Sequence, residues 1–103
     1  MRESYLERKV GKWLNQYCGD VLLYFVKMER VGFPDRMLLL HGGNVVFIEF
    51  KAGKKYGLSE GQKEIRKNLV KGDFTYFVWE GDKPFEDVFR NLLLLIRTTV
   101  GGK

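Results

Sequence analysis

Val31-Gly32-Phe33-Pro34-Asp35-Arg36-Met37-Leu38-Leu39-Leu40-His41-Gly42-Gly43-Asn44-Val45-Val46-Phe47-Ile48-Glu49-Phe50-Lys51 is the stretch from which the rest of the chain can be read. Gly32-Phe33-Pro34 is a turn, because proline gives no backbone donor to a sheet and glycine admits unusual dihedrals. Asp35 to His41 follows as a strand, apolar on both faces and therefore interior to its sheet. Alternation puts Asp35, Met37 and Leu39 on one face. His41-Gly42-Gly43-Asn44 is a hairpin turn. It makes Val45–Lys51 the antiparallel partner, so that Asp35 at the start of one strand approaches Glu49 and Lys51 at the end of the other. Period-2 placement continues the apolar line of Val45 and Phe47 into Glu49 and Lys51. Charges there are costly unless they have partners.

Working outward, residues 4 to 18 carry Leu6, Val10, Trp13, Leu14 and Tyr17 at helical spacing. Ser4 with Glu7 three residues on has the form of a capping box, and Gly19-Asp20 ends the helix. Glu7 lies along the apolar edge with Glu3 one turn earlier. Its carboxylate has two readings: it caps the helix, or it reaches a metal. Val21 to Glu29 is rich in Val, Tyr and Phe and reads as the first strand.

Beyond Lys51, Ala52 to Leu58 is a basic loop, and Ser59 is the N-cap of a second helix with Gln62 at the capping-box position. Ile65 and Leu69 form that helix's apolar side together with Gln62, and Gly72-Asp73 stops it. Phe74 to Glu80 alternates as a fourth strand, reached by a connection long enough for a parallel crossover. Pro84 opens a third helix through Phe85, Val88, Phe89, Leu92 and Ile96, with Thr98 to Lys103 frayed. The expected fold is α/β: a small mixed β-sheet flanked by helices in the order α-β-β-β-α-β-α, a single domain over residues 1–103.

Composition bounds the function. The 103 residues hold 45% apolar and 30% charged side chains, which fits a folded domain rather than a disordered chain. No apolar run approaches the ~20 residues of a membrane span. The charged start Met1-Arg2-Glu3-Ser4 lacks the core of a signal peptide. The single Cys18 forms no internal disulfide, and a reducing, cytoplasmic setting is the expectation. Eighteen basic against thirteen acidic residues give a net charge of +5, modestly favouring a polyanionic partner such as nucleic acid.

Two acids and a lysine at neighbouring strand ends suit a divalent cation beside a phosphate. Phosphodiester hydrolysis requires an oriented water, a sink for developing charge and a stabilised leaving oxygen, and Mg2+ held on carboxylates can serve all three. Asp35, Glu49 and the backbone carbonyl of Phe50 offer oxygen ligands of the kind Mg2+ prefers. Lys51 would orient or deprotonate the attacking water, or hold the phosphate as a point charge. Each residue also has a plainer role: Asp35 in a Pro-Asp turn, Glu49 and Lys51 as a same-face pair, Gln62 as a cap. Their convergence favours chemistry. Gln62 stands at a helix N-terminus that follows the Glu49 strand and can approach a phosphate. Lys54, Lys55, Lys63, Arg66, Lys67 and Lys71 follow the site in sequence, with Tyr56 among them, and read as a DNA-backbone patch. His41 is the only histidine and Cys18 has no partner residue nearby, so zinc is not expected. Leu92-Leu93-Leu94-Leu95-Ile96 is apolar all round, which points to a second subunit against that helix.

Glu7, then Gly32-Phe33-Pro34-Asp35, Glu49-Phe50-Lys51, and Gly57-Leu58-Ser59 followed by Gln62 form a series that resembles the PD-(D/E)XK, restriction-endonuclease-like nuclease superfamily. Within it the series is most similar to the virus-type replication-repair nuclease (VRR-NUC) domain in its stand-alone form. The likeness runs from about Ser4 to Glu80. It implies a Mg2+- or Mn2+-dependent endonuclease acting on branched DNA such as Holliday junctions, working as a homodimer, with a phage or prophage origin and hence a host cytoplasm. It implies Asp35 and Glu49 as metal ligands, Lys51 as the catalytic lysine, Gln62 as the family's glutamine and Glu7 as the helix-one acid, with Glu3 a competing match. Gly61 departs from the pattern, being a poor residue for a first helical turn. The alternatives are a nuclease of the same kind acting on flaps, single strands or duplex, and a DNA-binding module of this fold that does not cut.

Overall fold

We analysed a computed structural model of the chain, which describes residues 3–51 and 58–101, the side chains of Glu3 and Ser4 excepted. The fold is α/β: three helices and a four-stranded mixed sheet, in the order α1 (Glu3–Cys18), β1 (Leu22–Lys27), β2 (Arg36–Leu40), β3 (Asn44–Lys51), α2 (Glu60–Lys71), β4 (Thr75–Glu80) and α3 (Phe85–Gly101). The strands stand in sequence order across the sheet. The β1/β2 and β2/β3 pairs are antiparallel and β3/β4 is parallel. The sign change at β4 follows from chain length: three hairpin-linked strands alternate, and the passage through α2 returns the chain parallel.

β3 is the buried axis. Val46, Ile48 and Phe50 have no exposed surface and face one way, while Phe47 and Glu49, also buried, face the other. The first face is covered by α1 through Leu6, Val10, Leu14 and Cys18, and by α3 through Val88, Phe89, Leu92 and Ile96. Trp79 of β4 enters this core and meets Phe85 and Phe89 at ring-centroid distances of 5.1 and 6.5 Å, with Trp13 of α1 against the same two rings. Aromatic contacts of this kind add about 0.5–1.5 kcal/mol each beyond area burial. Arg97 fastens the far end of α3 to the end of α1, with two bonds to Asp20 (2.8 and 3.1 Å) and one to the Tyr17 carbonyl (3.0 Å).

The second face belongs to α2, whose half-buried side is Gln62, Ile65 and Leu69. Gly32 fixes how the turn before Asp35 meets this helix. Its φ is +84°, and a Cβ there would stand 2.9 Å from Ile65 Cδ1. Only glycine satisfies both conditions without a shift. The β2–β3 connection is one tight turn at His41–Gly43, with Gly42 and Gly43 at φ +78° and +74°, and Asn44 Nδ2 donates to the His41 carbonyl at 2.8 Å.

Several expectations shift. The helix starts at Glu3, so Ser4 lies inside the first turn rather than at the N-cap. β1 is trimmed to Leu22–Lys27. Asp35 precedes β2, and its side chain rather than its backbone continues the pairing with β3. Thr98 to Gly101 continue α3 as helix rather than fraying, which Val100, packed against the core, explains. The apolar run of α3 is largely covered within the chain: Leu92 and Ile96 are fully buried, Leu93 and Leu95 pack partly, and Leu94 alone of the five is exposed, at 62%. Among the described residues no helix is long and apolar enough to cross a membrane.

Candidate functional site

The end of β3 gathers the residues that the sequence singles out. Glu49 and Lys51 share the α2 face, and α2 starts beside them. Ser59 caps it: Ser59 Oγ accepts from Gln62 N (3.2 Å) and Gln62 Oε1 accepts from Ser59 N (2.9 Å). The reciprocal cap holds the Gln62 amide in one orientation. The same Oε1 accepts from Lys51 Nζ at 3.0 Å, and Nε2 donates to Glu49 Oε1 at 3.1 Å. Gln62 thus bridges the lysine and the acid, which also stand 3.8 Å apart as an ion pair, their side chains 16% and 3% exposed. Gly61 does not prevent the cap from forming.

Asp35 comes to this end from the other side. Arg36 pairs with Ile48 at the first step of the β2/β3 ladder. Asp35 lies one residue before it and reaches across, its Oδ2 accepting from the Phe50 amide at 2.8 Å. In an extended strand a residue's N–H and C=O point to the same lateral side. The Phe50 carbonyl is therefore on the Asp35 side, beyond the end of β2. The result is an oxygen-rich corner of two carboxylates and one carbonyl, with an ammonium beside it.

Tyr76, which the sequence reading missed, lies behind the corner on the same face of the sheet. It pairs with Phe47 on β4, one pair of alternating residues before Val78 meets Glu49, and shares their face. Its hydroxyl is buried and has no hydrogen-bond partner among the described residues. Burial, then the negative charges of Glu49 and Asp35, push its pKa up to about 12, while Arg66, whose guanidinium lies 5.2 Å over the ring, pulls the other way. The signal available beforehand was the alternation of Tyr76 and Val78. Which β3 residues they face depends on the parallel register, which alternation does not supply.

Glu7 is not part of this corner. Its Oε1 accepts from Arg36 Nε at 2.6 Å, with both side chains mostly covered. Arg36 follows Asp35 directly and so points to the opposite sheet face, where α1 lies. The proximity of Glu7 to the site in the chain's order thus resolves into an ion pair beneath the sheet. The side chain of Glu3, and Lys54, Lys55 and Tyr56, lie outside the described residues.

No three His, Cys, Asp or Glu side chains gather into a metal cluster among the described residues. A cation at the corner would rest on Asp35, Glu49, the Phe50 carbonyl and water. All-oxygen donors with several retained waters are what Mg2+ accepts. The residues present fit a hard divalent cation.

Beside the corner runs a groove along α2 lined by Leu58, Lys63, Arg66, Lys67, Val70 and Lys71, four cations over two apolar residues with no acid among them. A second basic surface, absent from the sequence reading, is lined by Tyr5, Arg8, Lys9, Lys12 and Trp13 on α1, where Lys9 Nζ stands 4.2 Å from the Phe85 ring. Its three cations were visible as residues, but their grouping with the aromatic rings depends on how α1 docks.

Compared with known proteins, the chain matches no family model, no curated protein and no solved structure.

Proposed function

We propose that this chain is a divalent-metal-dependent endonuclease of the PD-(D/E)XK, VRR-NUC type, hydrolysing phosphodiester bonds of branched DNA such as Holliday junctions, as a homodimer in the cytoplasm. The observation that carries the reading is the bridge at Gln62. One side chain caps a helix, holds Lys51 at 3.0 Å and donates to buried Glu49 at 3.1 Å. A capping glutamine alone requires no acid and lysine beneath it, and a chance pair of charges requires no helix N-terminus above it. Asp35, fastened to the Phe50 amide, supplies the second acid.

In this reading Asp35, Glu49 and the Phe50 carbonyl hold Mg2+ or Mn2+. When bound, the cation acidifies a water and neutralises charge that builds on the phosphoryl oxygens. Lys51 presents an ammonium as a point charge to the phosphate, and its bonds to Gln62 and Glu49 restrict where that charge can swing. Gln62 is a positioning residue, fixing Lys51 and Glu49 relative to one another. Asp35 and Glu49 accept hydrogen bonds only, so they also orient any water in the corner. The basic groove of Lys63, Arg66, Lys67 and Lys71 takes the backbone of the DNA leading to the cut. The dimer in this proposal places Leu94, the exposed residue of the α3 apolar run, against the partner.

The test is cleavage of a labelled four-way junction, flap, duplex and single strand with Mg2+, Mn2+, Ca2+ or EDTA, with Glu49→Gln as control. Cutting that requires Mg2+ or Mn2+ and is lost in the variant is the expected result, and the preferred substrate fixes the subclass. Binding without cutting under every metal would replace the nuclease with a DNA-binding module.

A further inference from the structure

The outer side of α1 holds a cluster that the proposed site leaves unused. Tyr5, Arg8, Lys9, Lys12 and Trp13 line one groove, three cations and two aromatic rings with no acid among them. They succeed one another at three and four residues, the spacing at which helical side chains are neighbours. No Asp or Glu stands three or four residues to either side of Arg8, Lys9 or Lys12. Like charges so placed weaken a helix rather than support it. The other helices differ: Lys63 in α2 and Arg90 in α3 each pair with an acid three residues earlier. Among the described residues none of the three α1 cations makes an ion pair. The positive charge of this groove is concentrated and uncompensated, which suits an anion from outside the chain.

The rings narrow the choice of anion. Trp13 meets Phe85 and Phe89 edge-on at 4.8 and 5.3 Å and leans on Tyr17 at 5.7 Å, so its orientation is set by packing. Lys9 Nζ stands 4.2 Å from the Phe85 ring and 5.9 Å from that of Trp13, which fixes one ammonium in the groove. Tyr5 is 50% exposed and offers a free ring beside the cations. Rigid aromatic groups lose little conformational freedom on binding. Cations beside an exposed ring fit unpaired nucleic acid, whose phosphates meet the charges while its bases stack on the ring. A duplex offers the phosphates but keeps its base faces stacked within. An anionic membrane would also meet the cations, but the groove presents no aliphatic side chain to enter it.

We infer that the α1 groove binds an unpaired arm of the DNA substrate, with Tyr5 as a stacking platform and Arg8, Lys9 and Lys12 on the phosphates. The inference deepens the branched-DNA reading above and rests on it. α1 packs on the sheet face opposite to Glu49 and Gln62, so the arm held here is not the strand at the corner. The α2 groove takes the duplex that leads to the cut, and the α1 groove takes a segment that leaves the branch point unpaired.

The experiment measures fluorescence anisotropy of a labelled flap, carrying an unpaired oligothymidylate arm, and of the same duplex without the arm, both in EDTA so that nothing is cut. Wild type should bind the flap more tightly than the duplex. Tyr5→Ala should lower flap affinity about tenfold and leave duplex affinity unchanged, while Tyr5→Phe, which keeps the ring, binds as wild type does. Arg8→Ala with Lys12→Ala changes two exposed residues to a good helix former, so the fold should hold. It should lower the salt slope for the flap by about 1.4, at roughly 0.7 for each phosphate contact on a single strand, and not that for the duplex. Equal wild-type affinity for flap and duplex overturns the proposal, as does an equal loss for both probes in the α1 variants, which would make the groove a general backbone contact. Binding to phosphatidylserine vesicles that Tyr5→Ala abolishes, with flap affinity unchanged, would give the groove to a membrane instead. The underlying reading fails separately: a wild type that shows the Tyr5-dependent flap preference but cuts no DNA with Mg2+ or Mn2+ loses the nuclease and keeps the groove, whereas metal-dependent cutting without that preference loses the groove alone.

Discussion

Lys51 and Gln62 are joined by a 3.0 Å hydrogen bond from the lysine Nζ to the amide Oε1, and that same oxygen caps the α2 helix through the Ser59 amide. Helix initiation and the placement of the charged pair are therefore one structural event. Gln62→Ala removes the acceptor for both and the donor to buried Glu49. The expected loss of stability is about 1–3 kcal/mol, together with reduced cleavage. Gln62→Glu keeps the cap acceptor but sets a second carboxylate against Glu49, so at neutral pH it should be destabilised as much as the alanine variant. Urea denaturation of both variants checks this. A wild-type midpoint for Gln62→Glu would mean that the bridge to Glu49 contributes nothing.

The two acids separate chemistry from folding. Asp35→Asn keeps an oxygen to accept from the Phe50 amide, so the end of β3 should stay closed while the charge is lost. Cleavage of a four-way junction is expected to vanish in Asp35→Asn and in Glu49→Gln, with DNA affinity within a few-fold of wild type. Residual cutting at more than a few per cent by either variant would remove that residue from the proposed ligand set.

How far the sequence leads is visible in two neighbours, Asp35 and Arg36. The Pro-Asp turn, the Gly-Gly hairpin and the period of two were enough to bring Asp35 to the end of β3, since all three are local. The same period sends Arg36 to the other face, but nothing local says which helix waits there. The spacing of its own helix leaves Glu7 as a cap or a metal ligand, and its ion pair with Arg36 depends on how α1 docks. The α3 run shows the same limit: its sequence is apolar all round, and only the folded chain shows that Leu92, Leu93, Leu95 and Ile96 are covered from within while Leu94 is left exposed. Tyr76 fell on a known face, but its neighbours follow from a parallel register that only the folded crossover sets.

Glu7 accordingly yields a prediction that divides fold from function. Glu7→Gln weakens a mostly covered charged hydrogen bond to Arg36 and should lower stability by about 1–3 kcal/mol. Cleavage per folded molecule should be retained, since Asp35, Glu49, Lys51 and Gln62 lie across the sheet from it. Loss of cleavage by a variant that is fully folded at the assay temperature would restore the helix-one acid to the site.

Tyr76 gives the fold an alkaline dependence. An unfolded tyrosine releases its proton near pH 10, whereas the folded one holds it until about pH 12. Between those values the unfolded chain binds fewer protons, so stability falls as pH rises. The stabilisation is fully present below pH 10 and is lost through pH 12. For a half-buried ring the screened effect is about 1 kcal/mol. Comparing urea midpoints of wild type and Tyr76→Phe from pH 8 to 11.5 cancels the lysine titrations common to both. The variant should show the shallower decline, and parallel curves would refute the shift.

The basic groove makes the last claim quantitative. Lys63 and Lys67 lie one helical turn apart on α2 and line the groove with Arg66 and Lys71. Residues at i and i+4 present neighbouring charges along a helix, a spacing suited to successive phosphates. If both neutralise phosphates, each releases close to one condensed counterion, and the slope of log affinity against log salt falls by nearly one for each lysine removed. Lys63→Glu with Lys67→Glu should therefore weaken binding of every DNA in the panel alike and flatten the salt dependence by about two. Among the described residues neither lysine bonds to Asp35, Glu49 or Gln62, and Lys63 Nζ pairs with Glu60 at 3.5 Å, an exposed pair of small energetic value. The fold should be little changed, so a loss of binding would report on the surface itself. An unaltered salt slope would shift the DNA path away from α2, with the Arg8, Lys9 and Lys12 surface of α1 the next place to test by the same substitution.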